Sequence, residues 1–226
     1  IDVDRDELQW RCELVNNCFA FMFDEIRYEL DGVEIDRNRN VGITSTIKSY
    51  ASLTTERSKR LQNAGWNVHS ANNAIRLTDN LRNFNFCELL NKFLGFCENY
   101  KRIVINARHE LVSIRARNDV GSIIAQPTYR NSKLTLLKVQ WRMPHVVLND
   151  LNKLSLLRTL ESGRYLSMTF RSWDLYEFPL LQTSTKHSWA VKAATQLKKP
   201  RYVIFAVQTG RTDVPTADVF KFDDCK

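Results

Sequence analysis

The residues able to do chemistry are scattered along the chain. Four histidines, His69, His109, His145 and His187, lie far apart. His109-Glu110 does not continue into an HExxH pattern. A metal site would have to gather these histidines from distant segments, so they read as solvent or contact residues rather than ligands. His187-Ser188 sets a base beside a hydroxyl, but neighbours on a strand point to opposite faces and no GxSxG elbow surrounds Ser188. Cys87 or Cys97 could act as a thiol nucleophile with a remote histidine, although buried structural cysteine is far commoner. Asp24-Glu25 and Asp223-Asp224 fall at strand ends and turns, without the carbohydrate groove that a glycosidase pair needs. The seven glycines (Gly32, Gly42, Gly65, Gly95, Gly121, Gly163 and Gly210) form neither GxxxxGK[ST] nor GxGxxG, so no phosphate cradle is encoded. We therefore expect no catalytic, cofactor-binding or metal-ligating residue and no cofactor, and read the protein as a non-enzyme.

Aromatic residues interleaved with arginine, Phe170-Arg171-Ser172-Trp173 and Trp141-Arg142, could stack nucleic-acid bases. Alternation on a strand divides them, with Phe170 and Ser172 on one face and Arg171 and Trp173 on the other, so no single platform results. The formal charge of +8 favours contact with a polyanion. The basic groups at 57–60, 108–117 and 198–201 are short, however, and read as solvated faces. Five cysteines, an odd number with no CxxC pair, suit free thiols in a reducing compartment. No apolar run approaches the roughly 18 residues of a membrane span, so membrane insertion is not expected. The start at Ile1 rather than Met leads us to expect a piece of a longer chain.

The elements that would carry these residues are mostly strands. Residues 19–23 form a continuous apolar run, expected to be a doubly buried strand. At 25–36, Ile26, Tyr28 and Leu30 alternate with charges, Asp31-Gly32 follows, and Val33 and Ile35 alternate again. Asp-Gly supplies the positive φ angles of a type I′ turn, so this is a hairpin whose polar face carries Glu25, Arg27, Glu29, Glu34 and Asp36. In 41–53 the period changes, and Ile43, Ile47, Tyr50 and Ala51 share one helical face opposite Lys48. Residues 57–65 extend the helical character. Residues 66–83 read as a long surface loop, and 84–100 as a short helix closed near Gly95. Strands are expected at 103–107, 111–116 and 134–143, with a loop over 118–132. Asn149 or Asp150 caps a helix over 149–161 with Leu151, Leu154, Leu157 and Leu160 on one side and Gly163 at its end. Three further strands follow in 164–210, broken by Pro179 and Lys199-Pro200, and 213–222 is a polar loop. The lack of βαβ alternation argues against a parallel sheet, and an all-β chain of antiparallel jelly-roll sandwiches with a few short loop helices fits best. The boundary between two sandwiches is expected within 143–149.

Several whole segments carry a specific likeness: FMFDEIRYELDGVEIDRNRNVGITSTIKSYASLT at 21–54, QNAGWN at 62–67, KVQWRMPHV at 138–146, FRSWDLYEFPLLQTSTKHSWAVKAATQLKKPRYVIFAVQTGR at 170–211 and KFDDC at 221–225. In colinear order they resemble the double jelly-roll major capsid proteins of Polinton/Maverick elements and adintovirus-like viruses of invertebrates. The resemblance implies a tandem double jelly roll, with a first jelly roll over 1–144 whose N-terminal strands are missing, and a truncated second one starting over 145–226. It implies no catalytic residues. The implied partners are two further copies in a trimeric pseudo-hexameric capsomer, neighbouring capsomers, a penton protein and packaged double-stranded DNA, with the virion as location and assembly in the host nucleus or cytoplasm. The alternative from the residues is a domesticated jelly-roll module that binds nucleic acid or glycan. A metal enzyme on a jelly-roll scaffold would need clustered histidines that this sequence lacks.

Overall fold

The structure, a computed structural model, describes residues 12–66, 83–125, 132–165, 167–178, 180–189 and 200–208. Its centre is a three-stranded antiparallel sheet in the order β3-β2-β4, formed by β2 (Phe23–Leu30), β3 (Val33–Arg39) and β4 (His109–Arg115). The β2–β3 hairpin closes as the sequence requires, with Asp31 at φ 50° and Gly32 at φ 76°. Phe23, Ile26, Tyr28 and Leu30 point into the core. On the opposite face Arg27 pairs with Glu25 at 3.2 Å and Glu29 at 2.6 Å, while Arg39 reaches Glu25 at 3.3 Å across the ladder.

A register shift between Tyr28 and Glu29 alters β3. Tyr28 faces Asp36 while Glu29 faces Glu34, leaving one extra residue on β3. Beyond this bulge the phase of β3 inverts. Asp36 and Asn38 are therefore buried, contrary to the expectation that Asp36 lies on the polar face. Both side chains hold the segment that covers the sheet. Asn38 Nδ2 donates to the Phe93 carbonyl at 3.0 Å, and Asp36 accepts the Phe96 N–H at 2.8 Å.

Residues 19–23 also depart from expectation. Instead of one buried strand, α1 (Cys18–Phe21) makes a single helical turn before β2 begins. It follows Asn17, whose φ of 61° reverses the chain. The short β1 (Cys12–Leu14) pairs with β5 (Ile123–Ala125), which lies inside the region expected to be loop. The helix α2 (Val41–Ser52) forms where expected, but its buried residues are Val41, Gly42, Ser45, Thr46 and Ser49. Tyr50 and Ala51, assigned to the apolar face, are exposed. Small residues face inward because α2 lies close to α1: a Cβ on Gly42 would meet the Phe21 ring.

After α3 (Thr55–Arg60), capped by the Thr54 hydroxyl, a 3-10 turn at Gln62–Ala64 delivers Trp66 into the interior. Trp66 begins the expected surface loop, yet it is buried, donates from Nε1 to Ser58 Oγ at 2.9 Å and meets the Tyr50 ring edge-on. The remainder of that loop lies outside the described residues. A 3-10 turn at Leu90–Lys92 precedes α4 (Gly95–Asn99), so Gly95 opens a helix rather than closing one. Residues 103–107 form no strand.

The core gathers Met22, Phe23, Ile26, Tyr28, Phe93, Leu94 and Phe96. From residue 132 onward no described residue is fully buried, and the strands expected at 134–143 and 164–210 make no ladder among the described residues. The Leu134 N–H is held by Asp119 Oδ2 at 2.9 Å, and Leu134, Leu136 and Phe170 pack against the core. The helix α5 (Asp150–Glu161) is capped by Asn149, whose side chain accepts the Asn152 N–H, and ends before Gly163 at φ 67°. Its leucine side packs into no interior: none of its residues is buried. The expected polar loop at 213–222 lies outside the described residues.

Candidate functional site

Two features stand out: a buried polar cluster and an open apolar surface. The cluster is built around Asn17, which is 0% exposed. The left-handed backbone at Asn17, tolerated by asparagine better than by most residues, turns its side chain beneath α2. Its Nδ2 donates to Ser45 Oγ and Thr46 Oγ1, both at 2.9 Å, which explains why the hydroxyl face of α2 points inward. Its Oδ1 accepts from Lys92 Nζ at 2.9 Å. Lys92 in turn pairs with Glu88 at 3.0 and 3.3 Å, and the two side chains are 6% and 4% exposed. Trp66 and Phe93 rings lie 5.8 and 5.6 Å from Lys92 Nζ. Burial raises the Glu88 carboxyl above its usual range, against the pull of Lys92. Cys18, next to Asn17 in the chain, has its thiol pushed up to about 12, first by burial and then by the Glu88 charge. An amine, an amide and a carboxylate are thus held together away from water.

The residues weighed from sequence do not converge. Among the described residues no group of three or more His, Cys, Asp or Glu side chains could hold a metal ion. His109 on β4 meets the Tyr28 hydroxyl at 2.6 Å. Burial, then the charges of Cys97 and Tyr100, pushes the Tyr28 phenol up to about 12, so it keeps its proton, and the His109 tautomer sets which group donates. His145, His187 and Ser188 are exposed, and His69 lies outside the described residues. Cys87 is exposed, Cys97 half-buried and Cys18 buried, all as free thiols. Glu25 is engaged by arginines, and Asp223-Asp224 lies outside the described residues.

The aromatic–arginine segment serves as packing. Phe170 meets Phe96 edge-on at 5.3 Å, the Arg171 N–H donates to Asn99 Oδ1 at 3.1 Å, and Lys48 Nζ sits 4.3 Å above the Trp173 ring. Trp141 lies edge-on to Tyr28. The second feature follows from the same region. Leu137, Val139, Val146 and Val147 are exposed, as are Tyr202, Val203, Ile204, Phe205 and Val207, with Leu137 at 82% and Val203 at 83%. Large apolar side chains left exposed in such number are the raw material of contact surfaces.

Antiparallel sheets with short helices between the strands are consistent with an incomplete jelly-roll sandwich. The chain belongs to the double jelly roll-like domain family, whose model matches residues 12–226. Such domains are typical of capsid proteins. No curated protein and no solved structure matches the chain. Sequence reasoning missed the Asn17–Lys92–Glu88 cluster. Its only sequence signals were the i, i+4 pair Glu88 and Lys92 and the hydroxyl pair Ser45-Thr46 on the helix.

Proposed function

We propose that this chain is a structural subunit of a capsid: a major capsid protein of the Polinton/Maverick or adintovirus-like kind. Three copies associate as a pseudo-hexameric capsomer, and capsomers tile an icosahedral shell around double-stranded DNA. The observation that carries the reading is the double jelly roll-like match over 12–226. The exposed apolar side chains at 137–147 and 202–207 support it, because a subunit that functions by side-to-side contact needs apolar surface left open by its own fold. Symmetric assembly repeats each contact, so individually weak interfaces add up to a stable shell.

On this reading the protein is not an enzyme and requires no cofactor. Its partners are further copies of itself, a penton protein and the packaged DNA, whose phosphates the net charge of +8 helps to neutralise. Its place is the virion, after assembly in the host nucleus or cytoplasm. Among the described residues no helix is long and apolar enough to cross a membrane. The same positive charge favours one second reading, a jelly-roll module retained for binding nucleic acid. Light scattering on a size-exclusion column, followed by negative-stain electron microscopy, separates the two. Trimers, hexagonal capsomers or shells are expected. A monomer at high concentration that binds DNA, with affinity falling steeply as salt rises, would overturn the capsid reading in favour of the second.

A further inference from the structure

The buried cluster has the parts of a self-modifying site, independently of how the protein assembles. Lys92 Nζ stands 2.9 Å from Asn17 Oδ1, the oxygen of the side-chain amide. Glu88 contacts the same Nζ through both oxygens, at 3.0 and 3.3 Å. Ser45 and Thr46 hold the amide nitrogen from its other end. A buried lysine–glutamate pair pays a desolvation cost that a pair of apolar residues would avoid. Glu88, its carboxyl raised by burial, contacts Nζ through both oxygens and is placed to take the proton whose removal makes the amine nucleophilic. The neighbouring Cys18 thiol stays protonated and does not compete.

We propose that Lys92 and Asn17 join through an intramolecular isopeptide bond, with Glu88 carrying the proton. Lys92 Nζ attacks Asn17 Cγ, and a carbon–nitrogen bond forms. Glu88, holding the proton that freed the amine, gives it to the amide nitrogen and takes the surplus proton from Nζ in its place. The Cγ–Nδ2 bond then breaks with its electron pair on nitrogen, and ammonia leaves from between the Ser45 and Thr46 hydroxyls. The balance is one amine plus one primary amide giving one secondary amide plus ammonia, with no redox change and no co-reactant. Fixed proximity replaces an activated acyl donor. Exclusion of water keeps the amide from hydrolysing instead.

The bond would tie the turn before α1 to the 3-10 turn before α4, pinning the layer that covers the sheet. A chemical lock of this kind suits a protein whose fold must survive outside a cell, but the inference rests on the cluster alone. The test is the intact mass of the full purified chain under denaturing conditions, followed by tryptic mapping. The expected mass is lower than the sequence mass by one ammonia. The expected map contains a branched species joining peptide 12–27 to peptide 83–101, uncut after Lys92. The variant Glu88→Gln keeps amine and amide in place and should return to the full sequence mass. A wild-type chain at full mass with cleavage after Lys92, or an ammonia loss mapped elsewhere, would overturn the proposal whether or not any variant folds.

Discussion

Replacing Asp36 with alanine cuts the tie between β3 and α4. Asp36 Oδ2 accepts the Phe96 N–H at 2.8 Å and Oδ1 accepts the Arg37 N–H at 2.9 Å, with the side chain buried. A hydrogen bond to a charged group contributes about 1.5–3 kcal/mol, and an orphaned buried donor costs about 1–3 kcal/mol. Removing the carboxylate also removes its own desolvation penalty, so the net loss for Asp36→Ala should be about 2–3 kcal/mol. Asp36→Asn retains one acceptor and turns an NH2 toward the other N–H, so it should lose about 1–2 kcal/mol. The pH dependence has a definite sign. Burial, the largest influence, raises the Asp36 carboxyl above its ordinary 3.8, outweighing the N–H groups of Phe96, Arg37 and Gly95 that pull it down. The folded state therefore binds the proton more readily than the unfolded state. The contribution of Asp36 is fully present below the unfolded value and declines as pH rises through the folded one. The gap between wild type and Asp36→Asn should widen as pH falls from neutral toward 3.8. Urea unfolding followed by far-ultraviolet circular dichroism at a series of pH values measures this directly. A difference for Asp36→Ala below about 0.5 kcal/mol, the scatter of an ordinary surface substitution, or a gap that narrows in acid would refute the reasoning.

Gly95→Ala should free the 170–173 segment, because the new Cβ would occupy the position of the Arg171 carbonyl. We expect a loss of about 1–3 kcal/mol and faster tryptic cleavage after Arg171, read by limited proteolysis. If the Asn17–Lys92 bond forms, it closes a loop spanning 75 positions. By the loop-closure relation used for disulfides this stabilises by about 4.5 kcal/mol, so Glu88→Gln should unfold at markedly lower guanidinium concentration than wild type. In native protein an alkylating reagent should label the exposed Cys87 well before Cys18 or Cys97, whose thiols burial pushes up to about 12 and about 11. Mass mapping of the labelled sites checks the order.

The local elements were legible because their causes are local. Asp31-Gly32 supplies two positive φ angles in succession, and alternation on either side leaves little but a hairpin. Asn149 and Gly163 bracket α5 by the chemistry of its two ends. The absence of a catalytic motif and the segment-level likeness to jelly-roll proteins were also present in the order of residues alone. The family match over 12–226 upholds the jelly-roll class.

Tertiary structure decided whatever depends on phase or on distant partners. A single extra residue in β3 inverted its alternation and buried Asp36 and Asn38, which no periodicity within the strand reveals. The buried face of α2 is the one with small and hydroxyl side chains, because Phe21 needs close approach at Gly42 and Asn17 needs two acceptors. Residues 19–23, apolar throughout, could have been strand or helix. The left-handed turn at Asn17 settled the choice in favour of α1. The candidate site belongs wholly to this second category. Asn17, Ser45, Thr46, Glu88 and Lys92 come from three separated stretches, and only the folded chain brings an amine, an amide and a carboxylate into one dry space.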